Sequence, residues 1–355
     1  MKLAILSSPF KRSHQSTRAV MAQVALACIP GVIAQYYYFG IGHLIQIALC
    51  IITAWITEGI VVALRKRPVL AILSDNSAFV TAVLLGLSLP GYAPWWVSIL
   101  GTLFAILLAK HIYGGLGQNI FNPAMAAYVF LLISFPVAMT GWLLPQDLLG
   151  NPFTNWDGIS LIFTGFTSDG FSLHQMATSA DAITQATPLD ALRTGLTVGR
   201  SAAQVVTSPL FGDFAGIGWG AINGAFLVGG LFLLWRRVIR WHIPLAFIAT
   251  MLVLSAIGHA YAPERIASPL IELFSGATMF GAFFILTDPV TASTTNKGRL
   301  IYASLVGALV FLIRHFGGYP DGVAFGVLIA NMCVPLIDHL TQPRVYGYKG
   351  KSSHE

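Results

Sequence analysis

The chain has 355 residues, 55% of them hydrophobic and 10% charged, with a formal net charge of +6. Soluble domains carry about a quarter charged residues, so this composition, with a mean hydropathy of +0.73, excludes an ordinary soluble domain and points to a membrane protein. The positive charge does not indicate nucleic acid, because no basic stripe is interleaved with aromatics; Lys and Arg instead punctuate apolar runs, as membrane topology requires.

The opening MKLAILSSPFKRSHQSTR lacks a long apolar core followed by a small-residue cleavage site, so it reads as a short N-terminal arm and not a cleaved signal. Apolar runs long enough to span or nearly span a bilayer follow at roughly 18–38, 41–63, 77–91, 95–113 and 122–144. A polar interval occupies 145–216, and five more runs lie at roughly 217–235, 242–260, 268–288, 299–316 and 321–339. The expected fold is an all-α integral membrane protein with about ten transmembrane helices. They form two five-helix blocks, 1–144 and 217–355, on either side of a large 145–216 loop. Cys28, Cys50 and Cys333 lie far apart in apolar runs without a CxxC pair, so they are expected to pack, with neither a disulfide framework nor an iron–sulfur site.

Orientation follows the basic residues. With the N-terminus in the cytoplasm, Lys2, Lys11, Arg12, Arg18, Arg65, Lys66, Arg67, Lys110, Arg236, Arg237, Arg240, Lys297, Arg299, Arg344, Lys349 and Lys351 fall on the cytoplasmic face. Only Arg193, Arg200, Arg265 and Arg314 fall outside. Both termini are then cytoplasmic and the 145–216 loop is external.

The two blocks resemble each other. AKHIYGGLGQNIFNPA (109–124) echoes IRHFGGYPDGVAFG (313–326), and SDNSAFVTAVLLGLSLP (74–90) echoes SGATMFGAFFILTDP (275–289). Five spans per block reverse the second copy, which is an inverted-repeat pattern. The third and eighth runs are short and rich in Gly, Ser and Thr. Two readings stay open: broken helices lining a central site, or ordinary helices packing through small residues.

Few residues suggest chemistry. Asp288 is expected to cap the following helix in preference to binding a cation. Lys110, His111, Arg314 and His315 are expected to snorkel near the interfaces, and Glu58 to pair at the surface with Arg65–Arg67. GxSxG, Walker, dinucleotide-binding and HExxH motifs are absent, so no stand-alone catalytic or metal site is expected.

The polar interval holds DAITQAT (181–187), followed by Pro188. The stretch fits D-x-x-T/S-x-A-T and resembles the covalent flavinylation motif, whose last Thr accepts FMN through a phosphoester to its hydroxyl. SSPF, SDNSAFVTAVLLGLSLP, APWW, AKHIYGGLGQNIFNPAM, LLISFPVAMT and LTDPVTASTT together resemble the RnfD family, the D-type membrane component of the Rnf electron-transport complex. That family is related to NqrB, its counterpart in the sodium-pumping NADH:quinone reductase. The resemblance runs over nearly the whole chain. It implies covalent FMN on Thr187, with Asp181, Thr184, Asn76 and Asp288 as further candidate cofactor contacts, and a second flavin, riboflavin, among the helices. It also implies a bacterial inner-membrane location, a periplasmic loop, and the A, B, C, E and G components of the Rnf complex as partners, with a periplasmic flavin transferase of the ApbE type for maturation. The complex would couple electron flow between NADH and ferredoxin to Na+ or H+ movement. ELFSGAT (272–278) also resembles the flavinylation motif, with Glu272 for the Asp and an SGAT closer to its common core, but Thr278 lies inside an apolar run that no transferase would reach. A solute transporter or channel is the alternative function, and DAITQAT is the feature such a protein would not need.

Overall fold

Proline and glycine set most of the helix ends in this chain. A computed structural model describes residues 16–149, 154–173, 175, 187–212 and 214–342. Helix α1 (Thr17–Ala27) starts under the Ser16 hydroxyl, which accepts from Ala19 N at 3.3 Å. It stops at Cys28, and α2 (Ile29–Phe39) resumes with Pro30 in its first turn, where a missing N–H does no harm. Helix α3 (Gly42–Leu64) is continuous and, with 23 residues, reaches about 34 Å, enough to cross a bilayer. A short α4 (Val69–Leu73) follows.

Helix α5 (Ser77–Ser88) is a half-span. Its 12 residues rise about 18 Å; it starts after Asn76, whose φ of 63° lies in the left-handed region, and closes at Leu89–Pro90. Helix α6 (Trp95–Leu103) runs directly into a π-helical stretch, Phe104–His111, a distortion frequent at functional sites. Asn122 caps α7 (Pro123–Ser134), accepting from Ala124 N at 3.1 Å and Met125 N at 3.2 Å, and Pro136 opens α8 (Pro136–Thr140).

The polar interval is folded in its described parts. Helix α9 (Asn155–Thr164) carries a capping box between Thr154 and Asp157. Helix α10 (Pro188–Thr197) and α11 (Ala202–Val206) follow. Two small cores tie this interval to both halves of the chain: Leu161 and Ile162 pack with Tyr92 and Leu143, while Leu189, Leu192 and Val205 pack with Ala267 and Ile271.

The second half contains α12 (Trp219–Trp235), α13 (His242–Tyr261), α16 (Asn296–Phe316) and α17 (Val323–Leu340). Between α13 and α16 the eighth apolar run is interrupted. Helix α14 (Pro269–Phe274) ends at Ser275, the chain turns through Gly276 (φ 89°), and one turn of α15 (Thr278–Phe280) leads into a π-turn at Gly281–Ile285. A break at membrane depth needs partners for its backbone groups. Asn223 of α12 supplies most of them: its amide donates to Phe274 O (3.0 Å) and Gly276 O (2.8 Å), and its Oδ1 accepts from Met279 N (3.1 Å). The Asp321 carboxylate accepts from Ala277 N at 2.8 Å.

Among the described residues, five helical segments are long and apolar enough to cross a membrane: Thr17–Phe39, Gly42–Leu64, His242–Tyr261, Asn296–Phe316 and Val323–Leu340. Ser77–Ser88, Trp95–His111, Pro123–Ser134 and Trp219–Trp235 are shorter apolar helices. Among the described residues there is no strand, only isolated bridges at Phe166–Ser172 and Phe211–Gly216. The chain is an all-helical integral membrane protein. Cys28 and Cys50 are buried, as expected of packing residues, and Cys333 is half-buried.

Candidate functional site

Two cavities lie between the halves of the molecule, and the two interrupted elements border both. The end of α5 (Leu87, Ser88) and the turn before α15 (Gly276, Ala277) line a cavity on the side of the polar interval. The start of α5 (Ser77, Val80, Thr81) and the end of the π-turn region (Phe284, Thr287, Asp288) line the other. The broken-helix reading of the third and eighth runs therefore describes the arrangement better than plain packing through small residues.

The loop-side cavity encloses about 1070 Å³ including its open mouth. Six aromatic side chains stand in its otherwise mainly aliphatic and small-residue wall: Tyr128, Trp142, Trp219, Phe226, Phe280 and Tyr319. Trp142 and Trp219 pack with ring centroids 5.2 Å apart, and Phe39 lies 5.6 Å from Trp219. Gln35 brings a polar handle: its amide donates to Leu87 O at 3.2 Å, while its Oε1 is buried without a hydrogen-bond partner among the described residues. Thr187 lines the same cavity. It is the N-cap of α10, where its half-buried hydroxyl accepts from Asp190 N at 3.3 Å. Asp190 also lines the cavity, and burial pushes its carboxyl above the usual range, against the pull of nearby Arg193. The Arg193 guanidinium donates to the Gly318 carbonyl.

The opposite cavity, about 830 Å³, is lined among others by Ser77, Lys110, Asn119, Asn122 and Asp288. Asp288 organises its own loop, accepting from Val290 N (3.3 Å) and the Thr291 hydroxyl (2.9 Å), but does not cap the following helix, whose N-cap is Thr295. Asn76 lines neither cavity; its amide donates to Arg18 O at 3.4 Å. Asp181 and Thr184 lie outside the described residues.

Each cavity abuts a buried ion cluster, and here the sequence expectations need correction. Lys110 and Arg314 do not snorkel, and Glu58 does not pair with Arg65–Arg67. Glu58 and Lys110 are buried together, their side chains 0% and 3% exposed, with Nζ to carboxylate 2.5 Å. Lys110 also donates to the Ser77 hydroxyl at 2.7 Å, and His111 Nε2 lies 3.4 Å from Glu58. Arg65 turns instead to the His111 carbonyl, at 2.6 Å. In the second cluster Arg314 donates to Asp321 (3.1 Å), the Thr278 hydroxyl (2.9 Å) and the Glu272 carbonyl (2.7 Å). The Glu272 carboxylate is 3.6 Å from Arg314 and 3.7 Å from His315. Thr278 is 0% exposed and fully engaged, which explains why its SGAT stretch cannot serve as an accessible acceptor. The repeat similarity aligns Ser77 with Thr278 and Lys110 with Arg314, so the signal for these clusters is present in the sequence. It does not say that the aligned residues bond to one another.

Comparison with known proteins bears on these features. The model of the NQR2, RnfD, RnfE family matches residues 4–347. The chain is 58% identical to a Yersinia pseudotuberculosis protein described as the D component of an ion-translocating oxidoreductase complex, over 348 residues, 98% of this chain and 99% of that one. It is 54% identical to the proteins of the same description from Aliivibrio salmonicida, over 349 residues, and Cronobacter sakazakii, over 350 residues, again covering 98% of this chain. The chain belongs to the NQR2, RnfD, RnfE family.

Proposed function

We propose that this chain is a membrane subunit of an ion-translocating oxidoreductase complex and carries FMN esterified to Thr187 beside the loop-side cavity. The observation that carries the reading is the position of Thr187: a half-buried hydroxyl at the edge of a cavity with six aromatic side chains in its wall, at the start of a ten-residue helix. A phosphoester there would sit at the positive end of α10, where helix N–H groups and the macrodipole favour an anion. The apolar walls and the unpartnered Gln35 Oε1 suit a flat aromatic group with polar edges. The flavin, when bound, supplies one- and two-electron transfer. The protein's part is to fix position, through the covalent bond and the cap, and to shield the site with Trp142 and Trp219.

The opposite cavity suits the second, non-covalent flavin, riboflavin, with Ser77, Asn119, Asn122 and Asp288 as polar contacts. In this reading the chain sits in the bacterial inner membrane with both termini cytoplasmic and the 145–216 loop in the periplasm, supported by the division of Lys and Arg. Its partners are the A, B, C, E and G components of the Rnf complex, with a flavin transferase of the ApbE type attaching the cofactor. The assembly moves Na+ or H+ as electrons pass between NADH and ferredoxin.

In-gel ultraviolet fluorescence of the denatured polypeptide tests this directly. Wild type and T278A should fluoresce; T187A and T187N should not. T187N keeps a good N-cap residue, so its loss of fluorescence reports the missing hydroxyl and not a damaged helix. A dark wild-type band, matured with its transferase, favours a plain transporter; fluorescence in T187A means that another residue carries the flavin.

A further inference from the structure

The two ion clusters are built alike but do not balance alike. In the cluster beside the opposite cavity, one buried carboxylate (Glu58) meets one buried ammonium (Lys110), and the charges cancel. In the loop-side cluster two carboxylates, Glu272 and Asp321, share one guanidinium, Arg314. The extra carboxylate breaks the repeat: allowing for one added residue, Tyr113, the position of Asp321 in IRHFGGYPD is taken by neutral Gln118 in AKHIYGGLGQ.

The other charged and titratable groups around Glu272 do not make up the missing positive charge. On α16 there are Arg314 itself and His315. On α13, His259 is tied to the Ile266 carbonyl at 2.7 Å. On α10, Asp190 and Arg193 offset each other. Asn223 on α12 is neutral and occupied by the chain break. With both carboxylates ionised and His315 neutral, a net negative charge would stay inside the protein, where an uncompensated ion is strongly disfavoured.

We propose that this cluster is a proton-binding site, holding one exchangeable proton on the Glu272 carboxyl group, facing His315. Geometry selects Glu272 over Asp321. Arg314 is committed to Asp321, at 3.1 Å against 3.6 Å for the Glu272 carboxylate. Asp321 further accepts from two backbone amides, Ala277 N at 2.8 Å and Val323 N at 3.3 Å, bonds that only an ionised carboxylate accepts in full. The Glu272 side chain is 3% exposed; its Oε2, on the Arg314 side, has no hydrogen-bond partner among the described residues, nor has His315 Nε2, which lies 3.7 Å from the other oxygen, Oε1. A proton on Glu272 leaves one ion pair, whose Asp321 partner is 24% exposed to the cavity; a proton on His315 would leave Glu272, Arg314 and His315, 3%, 2% and 11% exposed, all charged beside it, each with its own desolvation cost. The proton enters from water through the open loop-side cavity, which Asp321 lines, and returns by the same way without any redox step. A sodium ion is disfavoured, because the guanidinium already occupies the space between the carboxylates.

The site gives the complex a place to take up or release a proton on the loop side. It does not depend on flavin at Thr187. Infrared titration of the intact complex in lipid vesicles tests it, by the carbonyl stretch of a protonated carboxyl group and its shift in D2O. Wild type and T187A should show the band at neutral pH, and E272Q should lack it. D321N frees Arg314 for Glu272, so the band should be lost at neutral pH in that variant as well. Should E272Q fail to assemble, D321N alone decides. A band that persists in E272Q or D321N, that is absent from wild type, or that sodium chloride displaces at constant pH overturns the proposal.

Discussion

Lys110→Met separates a buried ion cluster from a surface one by magnitude. Lys110 reaches the Glu58 carboxylate at 2.5 Å and the Ser77 hydroxyl at 2.7 Å, with 3% and 0% of the two charged side chains exposed. Methionine keeps the length and removes the ammonium. Glu58 is then left with His111, 3.4 Å away, and Ser77 loses its donor at the first residue of α5. Removing one partner of a buried pair costs about 3–5 kcal/mol, chiefly because the remaining charge stays desolvated. A surface pair of the same residues would cost about 1 kcal/mol or less. The double variant E58Q/K110M removes both charges and should recover most of the loss. Reversible unfolding in mixed micelles of increasing SDS content gives the free-energy differences. A K110M cost below about 1 kcal/mol, or a double variant no better than the single, would refute the buried-pair reading and restore an interfacial lysine.

Two further outcomes rest on local geometry. On α12, a Cβ at Gly229 would stand 2.0 Å from the backbone carbonyl oxygen of Ala27, which cannot swing away, so G229A should cost about 1–3 kcal/mol in the same unfolding assay; Gly224 meets nothing within 4 Å, so G224A should stabilise the helix by up to about 1 kcal/mol. In the polar interval, the Ser168 hydroxyl and then the Thr154 hydroxyl hold the Asp157 carboxyl down to about 2. The stabilisation is full above the unfolded carboxylate range near pH 4 and vanishes as pH falls through about 2, so amide exchange at the α9 cap should accelerate over that window in wild type and show no such step in D157N.

The legible and illegible parts of the chain divide along a physical line. Hydropathy accumulates over a segment, so the apolar runs stand out from sequence alone, whereas the helix starts at Pro30, Pro136 and Pro269 fall inside stretches that read as single runs. The inaccessibility of Thr278 is legible for the same reason, since the MFGAFFIL stretch that follows it continues the apolar run, and Thr278 is indeed 0% exposed. Contacts between distant residues leave no such trace. Proximity in sequence assigns Glu58 to Arg65–Arg67, but the residue that meets it, Lys110, is 52 positions away. Helix geometry sends Arg65 to the His111 carbonyl instead.

The break at Ser275–Ala277 shows the same division within one feature. Glycine and small polar residues announce that the helix stops there, and membrane physics demands that the freed backbone groups be satisfied. Nothing in the local sequence says by what. The answer is Asn223, an amide in the middle of WGAINGAFLVGG, which reads as an ordinary polar residue in a span and yet bonds Phe274 O, Gly276 O and Met279 N at once. Asp321 does the same for Ala277 N from the other side. A cavity wall built from a broken helix is therefore held by side chains from α12 and from the turn before α17. That is why the loop-side cavity depends on both, although neither residue belongs to the interrupted run.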